Sequence, residues 1–179
     1  MMTDGRIQLG PVKADDAEEL YRAVMESAAS LSPWMPWYHA GYSLTETLSW
    51  CRATQINWDE GLSFDFTIKT TGNGTLLGIC GLNHINHDDA CANLGFWVRT
   101  GRTGQGFATA AAMLLARFGF ETLGLNRIEI MAARSNTTSQ RVAEKTGAVW
   151  EGILRNRLVV RDKLYDAALF SLLAKDLVD

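Results

Sequence analysis

A mixed α+β fold, with a mostly antiparallel central sheet and helices on both faces, is predicted by three features of the sequence. The hydrophobic period switches between two and about 3.6 residues from segment to segment. The elements so predicted run β-α-α-β-β-β-α-β-α-β-β, and no repeat, low-complexity run or linker divides the 179 residues. One domain over residues 1–179 is therefore expected, because the chain is long enough for one core and too short for two ordinary ones.

Arg6 to Val12 alternates well enough for a first strand, ending at Pro11 and an acidic helix start. Ala14 to Ser30 reads as a helix: Ala17, Leu20, Val24 and Ala28 recur at three- and four-residue spacing, and Asp15, Asp16, Glu18 and Glu19 suit the positive end of its dipole. Pro33 and Pro36 stop it, since each removes a donor and biases its predecessor away from helix. A second helix starts at Ser43, where Ser43 and Glu46 form a capping-box pattern ahead of Leu44, Leu48 and Cys51. From Ser63 the period becomes two. Phe64, Phe66 and Ile68 alternate with polar residues, Thr71-Gly-Asn-Gly74 turns the chain into Thr75 to Asn83, and His87-Asp-Asp89 turns it again into Ala92 to Arg99. Ala108 to Phe120 is the clearest helix, with an apolar stripe of Ala108, Ala111 or Ala112, Leu115 and Phe118. Arg127 to Ala132 reads as a strand, Thr137 to Thr146 as a short helix closed by Gly147, and Val149 to Leu154 and Leu164 to Leu173 as the last two strands.

The bulk numbers exclude several function classes. A hydrophobic content of 47% with 21% charged residues is that of an ordinary globular protein, and a formal net charge of −3 leaves no cationic excess for wholesale nucleic-acid binding. Apolar runs such as Ala110 to Ala116 fall far short of a membrane span, and the Met-Met-Thr-Asp-Gly-Arg start has no signal-peptide pattern. Cys51, Cys80 and Cys91 show no paired spacing, which fits free buried thiols in a reducing cytoplasm. His84 and His87 lack partners at zinc-binding spacing, so no metal is expected.

The segment Gly101-Arg-Thr-Gly-Gln-Gly-Phe-Ala-Thr109 carries the first functional signal. It lies between a predicted strand and a predicted helix, where unpaired backbone N–H groups and the helix dipole favour an anion. Gly104 and Gly106 let main chain approach a phosphate with no Cβ in the way. A kinase-type phosphate loop is excluded, because no Lys-Ser/Thr follows the second glycine. Gly104-x-Gly106-x-x-Thr109 partly resembles a dinucleotide fingerprint, with Glu129 near the place of a ribose-binding acid, but three antiparallel strands precede it and only one parallel unit is available. A glycine turn with a purely geometric role is the third reading.

The run Thr103-Gly-Gln-Gly106-Phe-Ala108 resembles motif A of the GNAT superfamily of acetyltransferases, Gln/Arg-x-x-Gly-x-Gly/Ala, with Thr103 departing from the family's first position and Arg102 as a candidate replacement cation. Asn93-Leu-Gly-Phe-Trp-Val98 before it is similar to the family's fourth strand. Leu125-Asn-Arg-Ile-Glu129, Ser135-Asn-Thr-Thr-Ser139, Trp150-Glu-Gly152 with Arg155, Pro33-Trp-Met-Pro-Trp37 and Asn83 resemble the RimJ/RimL branch, the ribosomal-protein-serine/alanine N-acetyltransferase type. The resemblance spans nearly the whole chain, and its specificity lies in the combination.

That resemblance implies a GNAT-type sheet whose fourth and fifth strands splay apart, and an amine that attacks the thioester carbonyl of acetyl-CoA directly. The pyrophosphate cradle would be Thr103, Gly104, Gln105, Gly106, Phe107, Ala108 and Thr109, and Trp97 and Val98 would offer main-chain partners to the pantetheine arm and an oxyanion donor. Asn136 would hold the pantetheine, or else cap a helix. Ser139 is the candidate general acid, against a hydroxyl that merely bonds backbone. Glu151 is the base candidate carried forward; Asp166, His84, His87 and a water chain are alternatives. Trp34 and Trp37 with Met35 and Asn83 would wall the acceptor slot, unless the tryptophans fill core. The expected acceptor is a protein N-terminal α-amine, as of a ribosomal protein, or a small amine. A non-catalytic CoA-binding sensor and a longer acyl donor such as succinyl-CoA are the alternatives. The resemblance also admits a homodimer.

Overall fold

The computed structural model describes residues 1–177. Eight strands form one sheet: β1 (Met2–Thr3), β2 (Ile7–Pro11), β3 (Phe64–Thr70), β4 (Leu76–Asn86), β5 (Cys91–Val98), β6 (Arg127–Ala133), β7 (Val149–Val160) and β8 (Lys163–Leu172), in spatial order β1-β2-β3-β4-β5-β6-β8-β7. Every neighbouring pair is antiparallel except β5 with β6, whose connection carries a helix as parallel strands require. The helices are α1 (Ala17–Glu26), α2 (Ala28–Leu31), α3 (Leu44–Asp59), α4 (Phe107–Glu121) and α5 (Thr137–Lys145). None of the helices among the described residues is long and apolar enough to cross a membrane.

Two apolar clusters, one on each face, explain the periodicities. Phe64, Phe66, Ile68, Cys80, Leu82 and Leu94 pack with Ala111, Ala112, Leu115 and Ala116 of α4 and Ala143 of α5. The second face sets Ile79 and Leu76 against Ala17, Leu20 and Ala23 of α1 and Cys51 of α3. The buried stripe of α4 is Ala111, Ala112, Leu115, Ala116 and Gly119. The small residues of that stripe, Ala111, Ala112, Ala116 and Gly119, let it lie close on the sheet: a methyl at Gly119 would stand 2.7 Å from Ile128 Cδ1. Helix α3 starts as its sequence demands, with the Ser43 side chain accepting from the Glu46 N–H at 3.3 Å and Glu46 accepting from the Ser43 N–H at 2.9 Å.

Four features differ from the sequence expectation. A short strand, Met2–Thr3, precedes the first expected one and pairs with Gln8 and Leu9. The helix expected over Ala14–Ser30 is broken at Ser27, whose fully buried hydroxyl accepts the N–H of Thr100 at 3.0 Å, so the break ties the helix to the end of β5. Strand β7 runs six residues beyond Leu154, to Val160. The polar run Arg155-Asn-Arg157 conceals the strand, because the ladder there is irregular: Asn156 has φ +52°, and its N–H donates to Asp166 Oδ1 at 2.9 Å rather than into regular pairing. Cys91 is only half-buried, unlike Cys51 and Cys80.

Candidate active site

The site begins where the sheet opens. Strands β5 and β6 pair only through Cys91–Arg127, Ala92–Ile128 and Asn93–Glu129; beyond Asn93 they diverge. The rest of β5 stays on β4 as far as Val98, and the rest of β6 stays on β8 as far as Ala133. Gly78 holds β5 to the β4 side. A methyl there would overlap the carbonyl oxygen of Trp97 and sit 2.9 Å from Val98 Cα, so only glycine permits this approach. The splay leaves strand edges able to pair with an extended ligand carrying amides.

A cleft of about 620 Å³ opens along the splay, lined by Leu94 to Trp97 on one side and Ile130 to Ala133 on the other. Its outer wall is the aromatic loop of Trp34, Met35, Pro36 and Trp37, with Tyr42 and Trp50 beside it. The β7–β8 hairpin crosses over this wall, adding Leu158 and Val160 and tying Arg161 to the Ser32 carbonyl oxygen. Tyr42 packs its ring 5.5 Å from Trp37 and accepts from the Thr47 hydroxyl at 3.0 Å; burial raises its pKa, so it stays a neutral phenol.

At the far end of β5 the chain passes through a 3₁₀ turn, Thr100–Arg102, into α4. Gly106 caps α4 at φ +82° with no side-chain hydrogen bond, and Gly104 lies at φ +74° with nothing within 4 Å of its missing Cβ. Both take the left-handed conformation that favours glycine, and the first N–H groups of α4 face outward on an exposed loop. The Thr103 hydroxyl turns inward to the Thr100 carbonyl oxygen at 3.0 Å. Arg6 braces the loop, donating to the Gln105 carbonyl oxygen at 2.9 Å with its guanidinium 5.3 Å from the Phe107 ring centroid.

Residues 6–149 match the GNAT acetyltransferase domain. The chain belongs to the GNAT acetyltransferases. It is 31% identical over 168 residues, 90% of this chain and 87% of the other, to YdaF of Bacillus subtilis, which carries the provisional name of ribosomal N-acetyltransferase. To the ribosomal-protein-serine acetyltransferase of Escherichia coli it is 22% identical over 92% of its own length and 91% of that protein's. The solved structure of Mycobacterium smegmatis RimJ in complex with CoA-disulfide superposes with a TM-score of 0.87 at 28% identity, over 97% of this chain and 84% of that one. The chain is thus an acyl-CoA-dependent N-acetyltransferase of RimJ/RimL-like type, and the mostly antiparallel, splayed sheet is the family's. The dinucleotide alternative loses its support, since β5 and β6 make the one parallel pair of the described sheet and Glu129 is engaged by Arg127 Nε at 3.0 Å.

Within this GNAT framework the cleft gathers Trp34, Trp37, Asn83, Trp97, Asn136 and Ser139. Asn136 both faces the cleft and caps α5, accepting the Ser139 N–H at 3.1 Å. The Ser139 hydroxyl itself makes no hydrogen bond among the described residues. Thr103 to Thr109 stand outside the cleft at the start of α4, and Val98 lies on β5 between the two.

Glu151, the base candidate, does not line the cleft, so the structure does not bring it together with Ser139. Arg127 grips it bidentately at 2.7 and 2.6 Å and Ser171 donates to it at 2.6 Å. These partners, Arg127 first, hold its pKa down at about 2, which makes it a poor proton acceptor. Asp166 is occupied at the Asn156 N–H, whereas His84 lines the cleft mouth. A depressed carboxylate stabilises the fold above its ordinary pKa of 4.5, and that contribution fades as pH falls toward 2. Glu151→Gln is therefore expected to flatten the loss of stability between those limits in urea melts; superimposable acid limbs would contradict it.

Asp65 is the cleft residue that the sequence conceals. It reads as one polar position in the alternating run Phe64 to Ile68, hence as solvent-facing. Its face is instead covered by α1 and α3, and it lines the cleft floor. The only available signal is an acid, rather than Thr or Ser, among the alternating polar positions of the meander's first strand.

Proposed function

We propose that the protein transfers the acetyl group of acetyl-CoA to a primary amine, with a protein N-terminal α-amine as the acceptor. The observation that carries this reading is the continuity of two half-sites. The β5–β6 splay leaves strand edges free for an extended pantetheine, and the cleft of about 620 Å³ along it reaches the aromatic loop that would meet a peptide end. The names of the ribosomal-protein relatives support the same acceptor class.

The pyrophosphate rests on the outward N–H groups of Gly104 to Thr109, with Arg6 and Arg102 as nearby cations, and the pantetheine pairs with Trp97 and Val98. A β5 N–H polarises the thioester oxygen as the amine attacks. Ser139 donates its proton to the departing thiolate from beside Asn136, and the proton that the attacking nitrogen loses returns to the serine through water in the cleft. Trp34, Trp37 and Asn83 hold the acceptor. The test is thiol release from acetyl-CoA with Ser- and Ala-starting peptides, polyamines and free amino acids. Peptides should give the highest kcat/KM; turnover confined to polyamines or amino acids would reassign the acceptor.

A further inference from the structure

The floor of the cleft holds two hydrogen-bond acceptors with nothing to accept from. Asp65 receives the Ser63 hydroxyl on Oδ2 at 2.9 Å, while its Oδ1 has no hydrogen bond and no ion pair among the described residues. Asn93 donates from Nδ2 to Asn83 Oδ1 at 2.9 Å, but its own Oδ1 is buried without a partner. A buried unpartnered acceptor such as Asn93 Oδ1 is costly unless something arrives to pair it, and the half-buried Asp65 keeps a free carboxylate oxygen at the cleft floor. Burial accordingly pushes the Asp65 pKa up, with the Ser63 hydroxyl opposing.

Register places these groups around a gap. Asp65, Gly81 and Gly95 face one another across β3, β4 and β5, and Asn83 and Asn93 form the next pair on the same face. A methyl at Gly81 would overlap Asp65 Oδ1 and lie 3.2 Å from its Cγ, so the carboxylate leans across the bare strand toward β5. One strand spacing, about 4.8 Å, then separates it from Gly95. Gly95 is equally bare, with Asn83 Nδ2 3.8 Å from where its Cβ would be. The two glycines form a floor without side chains, leading from Asp65 to the splay, and both acceptors border it.

We infer that Asp65 and Asn93 form the subsite that receives the acceptor's ammonium group and, once that group has given one proton to water in the cleft, holds the neutral nitrogen toward the thioester. Both vacant groups are acceptors and one is anionic, so the ligand must be a cation rich in N–H donors. Trp34, Trp37 and Tyr42 above the floor suit a cation flanked by apolar groups. A primary ammonium meets these demands, whereas a hydroxyl or thiol acceptor does not. The inference rests on the acetyl-transfer reading and adds the residues that choose the acceptor.

The experiment compares wild type, Asp65→Asn and Asn93→Ala in thiol-release kinetics with a Ser-Ala-Ala tripeptide amide, using its des-amino analogue as an inhibitor and acetyl-CoA titration as a control. Asp65→Asn should raise the tripeptide KM at least about tenfold, the size of one lost charge-assisted contact. Asn93→Ala should raise it by less. Acetyl-CoA affinity should stay within about twofold, and the analogue should inhibit all three proteins alike, because it lacks the group the subsite reads. Thermal stability of Asp65→Asn should be equal or higher, since the change removes an unpaired carboxylate. Turnover by wild type with an unchanged amine KM in both variants would overturn the subsite and leave acetyl transfer standing. Wild type that consumes no acetyl-CoA with any amine would overturn both.

Discussion

Ser139→Ala is expected to lower kcat by about 100-fold, the lower end of what a positioned proton donor contributes. The KM for acetyl-CoA should change little. The separation follows from the geometry: the Ser139 N–H, not its side chain, is what Asn136 captures to start α5, so alanine keeps the cap. The hydroxyl has no hydrogen bond within the described protein and faces the cleft, free to meet the thiolate. Melting temperature should therefore be nearly unchanged while single-turnover chemistry slows. An unchanged kcat would mean that solvent protonates the thiolate and would remove Ser139 from the reaction.

Gly78→Ala is the substitution expected to harm the fold most. The added carbon meets the main chain of Trp97 and Val98, at 3.0 Å from the Trp97 carbonyl carbon, and a backbone cannot swing aside as a side-chain tip does. Strands β4 and β5 must part, at a cost of about 3 kcal/mol, the upper end for overpacking. For a chain of this size that corresponds to a fall in melting temperature of roughly 6–12 °C. Any displacement of β5 away from β4 also carries it toward β6, so acetyl-CoA affinity should fall in whatever fraction stays folded. A variant that melts and binds like wild type would show that Gly78 does not set the splay.

What the sequence disclosed and what it concealed divide along a physical line. The Ser43–Glu46 cap and the small-residue face of α4 are local, with causes and effects a few residues apart, and they were legible. The glycines at 104 and 106 were legible for the same reason, since a left-handed turn before a helix leaves its mark in the chain itself. Ser27 looked like mid-helix because its reason for ending α1 is Thr100, 73 residues away. The end of β7 depended on pairing with β8 across an irregular ladder, which a run of Arg and Asn does not announce. Glu151 looked available because an ion pair to Arg127 leaves no local trace, and Asp65 looked solvated because the helices over its strand come from elsewhere in the chain.

In the proposed reaction CoA lies in the opening between β5 and β6. The most direct test of that placement is a crystal structure of the protein with CoA bound. The pantetheine arm is expected to run extended between Leu94–Val98 and Ile130–Ala133, with the thiol beside Ser139 and the pyrophosphate on the N–H groups of residues 104–109. CoA bound elsewhere with the splay vacant, or a pyrophosphate that makes no contact with the start of α4, would contradict it.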